Sequence, residues 1–221
     1  MAACTPSTAH MAFAISPTLA GRRAAWQLAR CSRCSRCTRR AATMKSSSVD
    51  IGHLREDYST TPLNESDMAA HPMQQFASWF ADAQSASLHE PNAMCIATTD
   101  SETLAPSARM VLLKSFDERG LVFYTNYGSR KGSELARNPR IAAVFWWGPL
   151  DRSVRVEGTA EKVTAAESEA YFQSRPLGSR VAAAASLQSR EVSSRAALEE
   201  KWAEKEQQAD QGQVQRPEDW G

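Results

Sequence analysis

Apolar residues recur at three- and four-residue spacing through Met73, Phe76, Trp79, Phe80 and Ala83, which predicts an amphipathic helix over residues 72–87. Pro91 closes the connection behind it. The pattern then changes to short apolar runs separated by turn residues. Residues 93–99, 107–116, 121–125 and 141–147 each read as a strand, with 117–120 as a turn. Residues 154–162 alternate Val154, Val156 and Gly158 against Arg155, Glu157 and Thr159 and make a fifth strand. One short helix, Arg130–Arg137, interrupts the series and ends at Asn138-Pro139. Further on, Thr164 and Glu167 form a capping box that opens a helix running to Gln173. Residues 181–186 read as helical, and 194–210 as a charged helix with Leu198 and Trp202 on one face. Closely spaced strands joined by short turns favour an antiparallel sheet or small barrel over a βαβ series. The predicted fold class is therefore α+β, one barrel decorated by helices.

Charge changes this picture at the N-terminus. Residues 1–49 carry eight Lys or Arg and no Asp or Glu, while the rest of the chain holds 18 basic against 25 acidic residues. That asymmetry argues against a single basic nucleic-acid binder. The first segment is rich in Ala, Ser, Thr and Arg, the composition of a mitochondrial or chloroplast transit peptide, with the plastid preferred. Met44 is a reasonable start for the mature chain. No stretch approaches the ~18 apolar residues that span a bilayer, so the expected partners include neither membrane nor nucleic acid. Cys31, Cys34 and Cys37 are spaced like half of a metal site, but no fourth ligand is near and Arg33, Arg36, Arg39 and Arg40 oppose a dication. No metal is expected. Cys95, inside an apolar run, reads as a small core residue.

Candidate chemistry is unusual in being neither nucleophilic nor metal-based. The chain has no Gly-rich dinucleotide fingerprint and no hydrolase-type phosphate loop. Its His10, His53, His71 and His89 all precede the strands. What stands out is a set of cations and hydroxyls beside apolar strands. Arg109 and Lys114 bracket Met110, Val111, Leu112 and Leu113. Strict alternation puts the two cations on opposite faces, so they can serve one cavity only across a bulge or between subunits. A half-buried strand with two solvated ends is the alternative. Tyr124, Thr125 and Asn126 end a strand ahead of Arg130 and Lys131 at a helix N-terminus, an arrangement suited to a phosphate or, more plainly, a basic turn. Tyr171, Arg175 and Ser179 bring a phenol, a guanidinium and a hydroxyl to a helix end, and Gln188-Ser189 supply uncharged donors.

Taken in order, these stretches resemble the pyridoxamine 5′-phosphate oxidase family. The matching pieces are Asn92-Ala-Met, Ser107-Ala-Arg-Met-Val-Leu-Leu-Lys114, Phe123-Tyr-Thr-Asn126, Gly128-Ser-Arg-Lys-Gly132, Val154-Arg-Val-Glu-Gly158, Tyr171-Phe-Gln-Ser-Arg-Pro176, Gln188-Ser189 and Trp220-Gly221. The resemblance implies an FMN-binding split β-barrel, assembled as a homodimer with FMN at the interface. It implies FMN contacts from Arg109, Met110, Val111, Leu112, Tyr124, Thr125, Arg130, Lys131, Gln188 and Ser189. Lys114, Tyr171, Arg175 and Ser179 would take the phosphate of a vitamin B6 ester. The implied reaction is oxidation of pyridoxamine or pyridoxine 5′-phosphate by O2 to pyridoxal 5′-phosphate with release of H2O2. No side chain is assigned as acid or base, because the redox chemistry belongs to the cofactor. The expected organisation is a transit peptide over 1–44, a substrate-covering segment over 45–67 in which residues 55–58 are the match, and the oxidase domain over 68–221.

Two departures accompany the match. Ser153 stands where the family usually places a flavin-contacting Gln, at a cost of ~1 kcal/mol for one hydrogen bond. Family members also continue past the Trp-Gly pair into strands carrying an aromatic flavin contact and an Arg-Leu-His-Asp-Arg motif. The C-terminal strands are therefore expected to be missing, with neighbouring edges exposed. A non-catalytic protein that binds FMN or pyridoxal phosphate is the alternative reading. A flavin reductase would need a nicotinamide site that the sequence does not offer.

Overall fold

The computed structural model describes residues 50–55, 63–210 and 214–221. The expected transit peptide, with Cys31, Cys34 and Cys37, and most of the expected covering segment lie outside the described residues. The chain divides into two units, Met1–Leu54 and Arg55–Gly221. Of the first, residues 50–54 are described as a turn in which Leu54 N–H donates to the Ile51 carbonyl at 3.0 Å.

Helix α1 spans Pro72–Ser85. Pro72 needs no hydrogen-bond acceptor at the first position, and the His71 ring accepts from Met73 N–H at 3.2 Å. Strands follow: β1 Ala93–Thr99, β2 Pro106–Leu112, β3 Ser115–Asp117 and β4 Gly120–Val122. After them come α2 (Arg130–Arg137), β5 (Arg140–Trp147) and β6 (Arg152–Thr159). Three helices complete the unit: α3 (Ala165–Ser174), α4 (Leu177–Ala185) and α5 (Arg195–Asp210). The strands form an antiparallel sheet in the order β2-β1-β5-β6 and a separate β3-β4 hairpin. This is the expected α+β class, with antiparallel strands and flanking helices in a split-barrel arrangement.

The core lies on one face of the larger sheet. Met94 and Ile96 from β1 and Phe145 and Trp147 from β5 are buried there with Phe76 of α1 and Leu113. Phe76 contacts Phe145 at 5.2 Å and meets Phe116 edge-on at 5.0 Å, so α1 joins hairpin to sheet through one aromatic cluster. Trp147 Nε1 donates to the Pro91 carbonyl at 2.9 Å, which satisfies the indole at the cluster's margin. A second cluster gathers Phe172, Val181, Ala209, Val214 and Trp220 under the C-terminal helices.

Several expected boundaries are corrected. Residues 107–116 are not one strand, because the backbone changes partners at its middle. Leu113 N–H still bonds the Asn92 carbonyl beside β1, at 2.8 Å. Lys114 N–H already bonds the Val122 carbonyl beside β4, also at 2.8 Å. Residues 121–125 give only the short β4, since Thr125 pairs with Gly221 through bonds of 2.7 and 3.0 Å. The helix expected over 181–186 begins earlier, at Leu177, because Pro176 precedes the first turn rather than breaking it. The capping box is present as expected: Glu167 N–H donates to Thr164 Oγ1 at 3.2 Å, and Thr164 N–H to Glu167 Oε2 at 2.9 Å.

Candidate anion and cofactor site

The partner change at Leu113 resolves the alternation problem in the Arg109–Lys114 stretch. Within β2, Arg109 and Val111 stand opposite Ile96 and Met94, on the core-facing side. Met110 and Leu112 stand opposite Cys95 and Ala93, on the outer side. Lys114 lies beyond the end of β2, on the segment that crosses to the hairpin, so its direction is not tied to β2's period.

One group of expected cofactor residues converges at the start of α2. Ser129 caps the helix, its Oγ accepting from Gly132 N–H at 3.3 Å. Lys131 turns inward and is 7 % exposed. Its Nζ donates to Gln188 Oε1 at 2.7 Å, Thr125 Oγ1 at 2.9 Å and Ser129 Oγ at 3.3 Å. Burial, with the nearby Arg109 cation, lowers the Lys131 pKa from its ordinary value. Residues just ahead of α2 and Gln188, 57 positions from Lys131, thus meet on one ammonium group. Gly132 is required by this approach, because a Cβ there would lie 2.7 Å from the Tyr127 Cα and carbonyl carbon. Gly132→Ala is expected to lose about 1–3 kcal/mol of stability in urea unfolding through overpacking against backbone.

Arg109 and Arg130 meet on Glu134, which the sequence reading did not single out. Arg130 Nε donates to Glu134 Oε1 at 2.8 Å. Glu134 Oε2 accepts from Thr98 Oγ1 at 2.5 Å, Ser107 Oγ at 2.7 Å and Arg109 Nη2 at 3.4 Å. Arg109 also donates to Thr98 at 2.6 Å and to Ser107. Burial alone would raise the Glu134 pKa. The hydrogen bonds from Thr98, Ser107 and Arg130 outweigh that and bring it to about 2. A carboxyl held below its unfolded value stabilises the fold fully above that value, near 4.5, and ceases to as pH falls towards 2. The stability gap between wild type and Glu134→Gln should therefore narrow as urea unfolding is moved from pH 6 to pH 3. A gap independent of pH would contradict this assignment.

The expected substrate residues form a neighbouring group built on aromatic rings. Tyr171 stacks on Tyr124 with centroids 4.0 Å apart, and Trp220 lies nearly parallel at 5.7 Å from Tyr124. Lys114 Nζ stands 6.0 Å from the Tyr171 ring, and the Arg175 guanidinium 4.8 Å from the Trp220 ring. Arg175 Nη1 is buried without a hydrogen-bond partner, and burial lowers the pKa of this arginine. A buried donor left unpaired costs free energy that an incoming anion would recover. Ser179 lies in the first turn of α4, its N–H bonded to the Pro176 carbonyl at 2.9 Å. Tyr124 joins the two groups, since it adjoins Thr125 in the chain and stacks on Tyr171. Ser189 has a left-handed backbone (φ 67°) in an exposed loop, and Met110 is 62 % exposed, so neither is drawn into the clusters. The role of Trp220 as the platform under Arg175 was also missed, because only the C-terminal pairing with residues 125–127 brings it there.

The donor set fits a phosphate monoester twice over. Cations with hydroxyl or amide neighbours gather at a helix N-terminus in one group and beside stacked aromatic rings in the other. A groove of about 600 Å³ adjoins both across Tyr124 and Thr125, with Phe116, Leu121, Ile141 and Val156 among its walls, but it contains none of Arg109, Arg130, Lys131 or Arg175. Among the described residues no group of three or more His, Cys, Asp or Glu is placed to hold a metal, and no helix is long and apolar enough to cross a membrane.

The profile of the family described as pyridoxamine 5′-phosphate oxidase matches residues 80–209. A pyridoxine/pyridoxamine 5′-phosphate oxidase of Thermosynechococcus vestitus is 54% identical over 171 residues, covering 77% of this chain and 80% of that protein. One from Cupriavidus taiwanensis is 54% identical over 174 residues, covering 78% and 81%. Among solved structures, PhzG from Burkholderia lata, in complex with tetrahydrophenazine-1-carboxylic acid, superposes with a TM-score of 0.68. It is 28% identical and covers 74% of this chain and 80% of that one.

Proposed function

This chain belongs to the pyridoxamine 5′-phosphate oxidase family, and on that premise we propose that it oxidises pyridoxamine or pyridoxine 5′-phosphate with O2, giving pyridoxal 5′-phosphate and H2O2, the amine substrate also consuming water and releasing ammonia. The observation that carries the reading is the pairing of two phosphate-suited donor groups through Tyr124, one for the cofactor and one for the substrate. Identity of about half to named oxidases over four-fifths of their length favours the enzyme over a non-catalytic binding protein.

FMN is the cofactor, and when bound it supplies the electron acceptance and the reaction with O2. The chain's own residues bind and orient. Lys131, Arg130 and Arg109, with Thr125 and Gln188, would hold the cofactor phosphate. Met110, Val111, Leu112, Tyr124 and Ser189 would border the flavin. Lys114, Arg175 and Ser179 would take the substrate phosphate, while Tyr171, stacked on Tyr124, would fix the angle of the pyridine ring. Holding the substrate by its non-reacting end turns binding energy into orientation.

The same reading includes a homodimer. The outer face of the large sheet carries Met110, Cys95 and Val144 in register across three strands, with Trp146 two residues on along β5. Met110 and Trp146 are 62 % and 65 % exposed. Such an apolar face fits a second copy, and it would place Met110 against a site shared between subunits. Trp146→Glu is expected to shift sedimentation towards the monomer and to lower FMN retention with it. For residues 1–44 the reading is an organelle-targeting presequence, the plastid preferred, supported by the acid-free basic composition. For residues 45–67 it is a segment that covers the substrate.

The direct test supplies the 221-residue protein with FMN and pyridoxamine 5′-phosphate in air and follows pyridoxal 5′-phosphate and H2O2. Both products should appear in equal amounts and depend on added FMN. A folded, FMN-retaining protein that forms neither would overturn the proposal.

A further inference from the structure

We propose that Glu134 is a positioning residue for the cofactor phosphate, its buried carboxylate holding Arg109 of β2 and Arg130 of α2 as one preformed pair. The inference rests on the reading of those two arginines as cofactor contacts.

Glu134 is 2 % exposed, and burying a carboxylate in α2 is costly unless it is fully bonded. If that position only had to fill volume, an apolar residue would serve with no such cost. Both oxygens are instead spent on groups from three elements: Thr98 of β1, Ser107 and Arg109 of β2, and Arg130 of its own helix. The bond to Arg130 uses Nε, and this arginine's side chain remains 59% exposed, so its outer edge can meet a ligand. Arg109 is anchored through its terminal nitrogens on Thr98, Ser107 and Glu134. Two mobile cations on separate elements are thereby set in place before any ligand arrives, and their rotamer freedom is lost at folding rather than at binding. Charge points the same way. Arg109, Arg130 and Lys131 less one carboxylate leave +2, which matches a dianionic phosphate monoester. The carboxylate also keeps the two guanidinium groups from repelling one another apart.

Two effects of removing the charge oppose each other, which makes the inference testable. Deleting a negative charge beside a phosphate should tighten binding if electrostatics alone mattered. Releasing the arginines should weaken it. Glu134→Gln keeps the shape, and riboflavin, which lacks the phosphate, serves as the control ligand. With the purified 221-residue protein, flavin fluorescence quenching would give the affinity of each variant for FMN and riboflavin, alongside a thermal melt. The expected result is a cooperative melt, FMN affinity lowered at least tenfold and riboflavin affinity changed less than twofold. The double variant Arg130→Ala/Glu134→Gln should bind FMN no more weakly than the worse single variant, because the two act as a unit. Equal losses for FMN and riboflavin, tighter FMN binding, or a Glu134→Gln protein that does not fold would each assign Glu134 a merely structural or electrostatic role and overturn the proposal. Arg109→Ala and Arg130→Ala separate the levels. If they weaken FMN and Glu134→Gln does not, only this inference fails; if neither weakens FMN, the reading of the site falls and takes the inference with it.

Discussion

Replacing Arg175 with Ala should raise KM for pyridoxine 5′-phosphate by one to two orders of magnitude while leaving FMN affinity within twofold. The guanidinium lies 4.8 Å from the Trp220 ring, and its buried Nη1 has no partner among the described residues. A hydrogen bond to a charged group contributes about 1.5–3 kcal/mol, which corresponds to roughly 10- to 150-fold in binding. The lost interaction is made to the non-reacting phosphate, so the effect should fall mainly on KM, with a smaller fall in kcat from poorer orientation. Arg175→Lys should recover little, because an ammonium neither stacks flat on Trp220 nor offers a planar fork to phosphate. Steady-state kinetics with pyridoxine as a second substrate provides the check, since discrimination against the unphosphorylated compound should shrink in Arg175→Ala. An unchanged KM would move the substrate phosphate elsewhere.

The largest stability effect is expected at Phe145. It is fully buried on β5 and contacts Phe76 at 5.2 Å and Trp147 at 5.7 Å, so it lies where α1 and the large sheet meet. Phe145→Ala should cost about 3–5 kcal/mol, from lost burial and a cavity that a ring-packed cluster cannot close. For a domain of this size that lowers the melting temperature by roughly 10 °C. Because β5 connects β1 to β6, the loss should be global rather than local, and chemical denaturation should show one transition of unchanged steepness at lower urea. Phe145→Leu, which keeps most of the volume, should recover more than half of the loss. A loss below 1 kcal/mol for Phe145→Ala would mean that the cluster does not hold α1 to the sheet.

The two predictions probe different kinds of information. Phe145 follows in part from pattern: an apolar run of strand length was legible as residues 141–147 without any coordinates, whereas the alternation of burial along β5 came from the structure. The same holds for β1, α1, α2 and the Thr164–Glu167 capping box, whose signals lie within a few residues of one another. Arg175 is a different case. Its residue type and motif marked it as a phosphate contact, yet its orientation depends on Trp220, 45 positions away in the chain. Local pattern carries no information about such a pairing.

By itself the sequence determined the α+β class, most element positions, the family and the residue types of both cationic clusters, because each is encoded in short-range spacing or in an ordered set of motifs. Tertiary structure alone decided the rest. It broke the 107–116 stretch where the backbone exchanged β1 for β4 as partner, and that freed Lys114 from the period binding Arg109. It shortened the strand expected at 121–125 by pairing Thr125 with Gly221. It turned Glu134, one acid among many in the chain, into the buried junction of Thr98, Ser107, Arg109 and Arg130. The physical reason is common to all three. Hydrogen-bond partners and burial are set by which distant segments meet, and a backbone group or carboxylate takes its role from the partner it finds there.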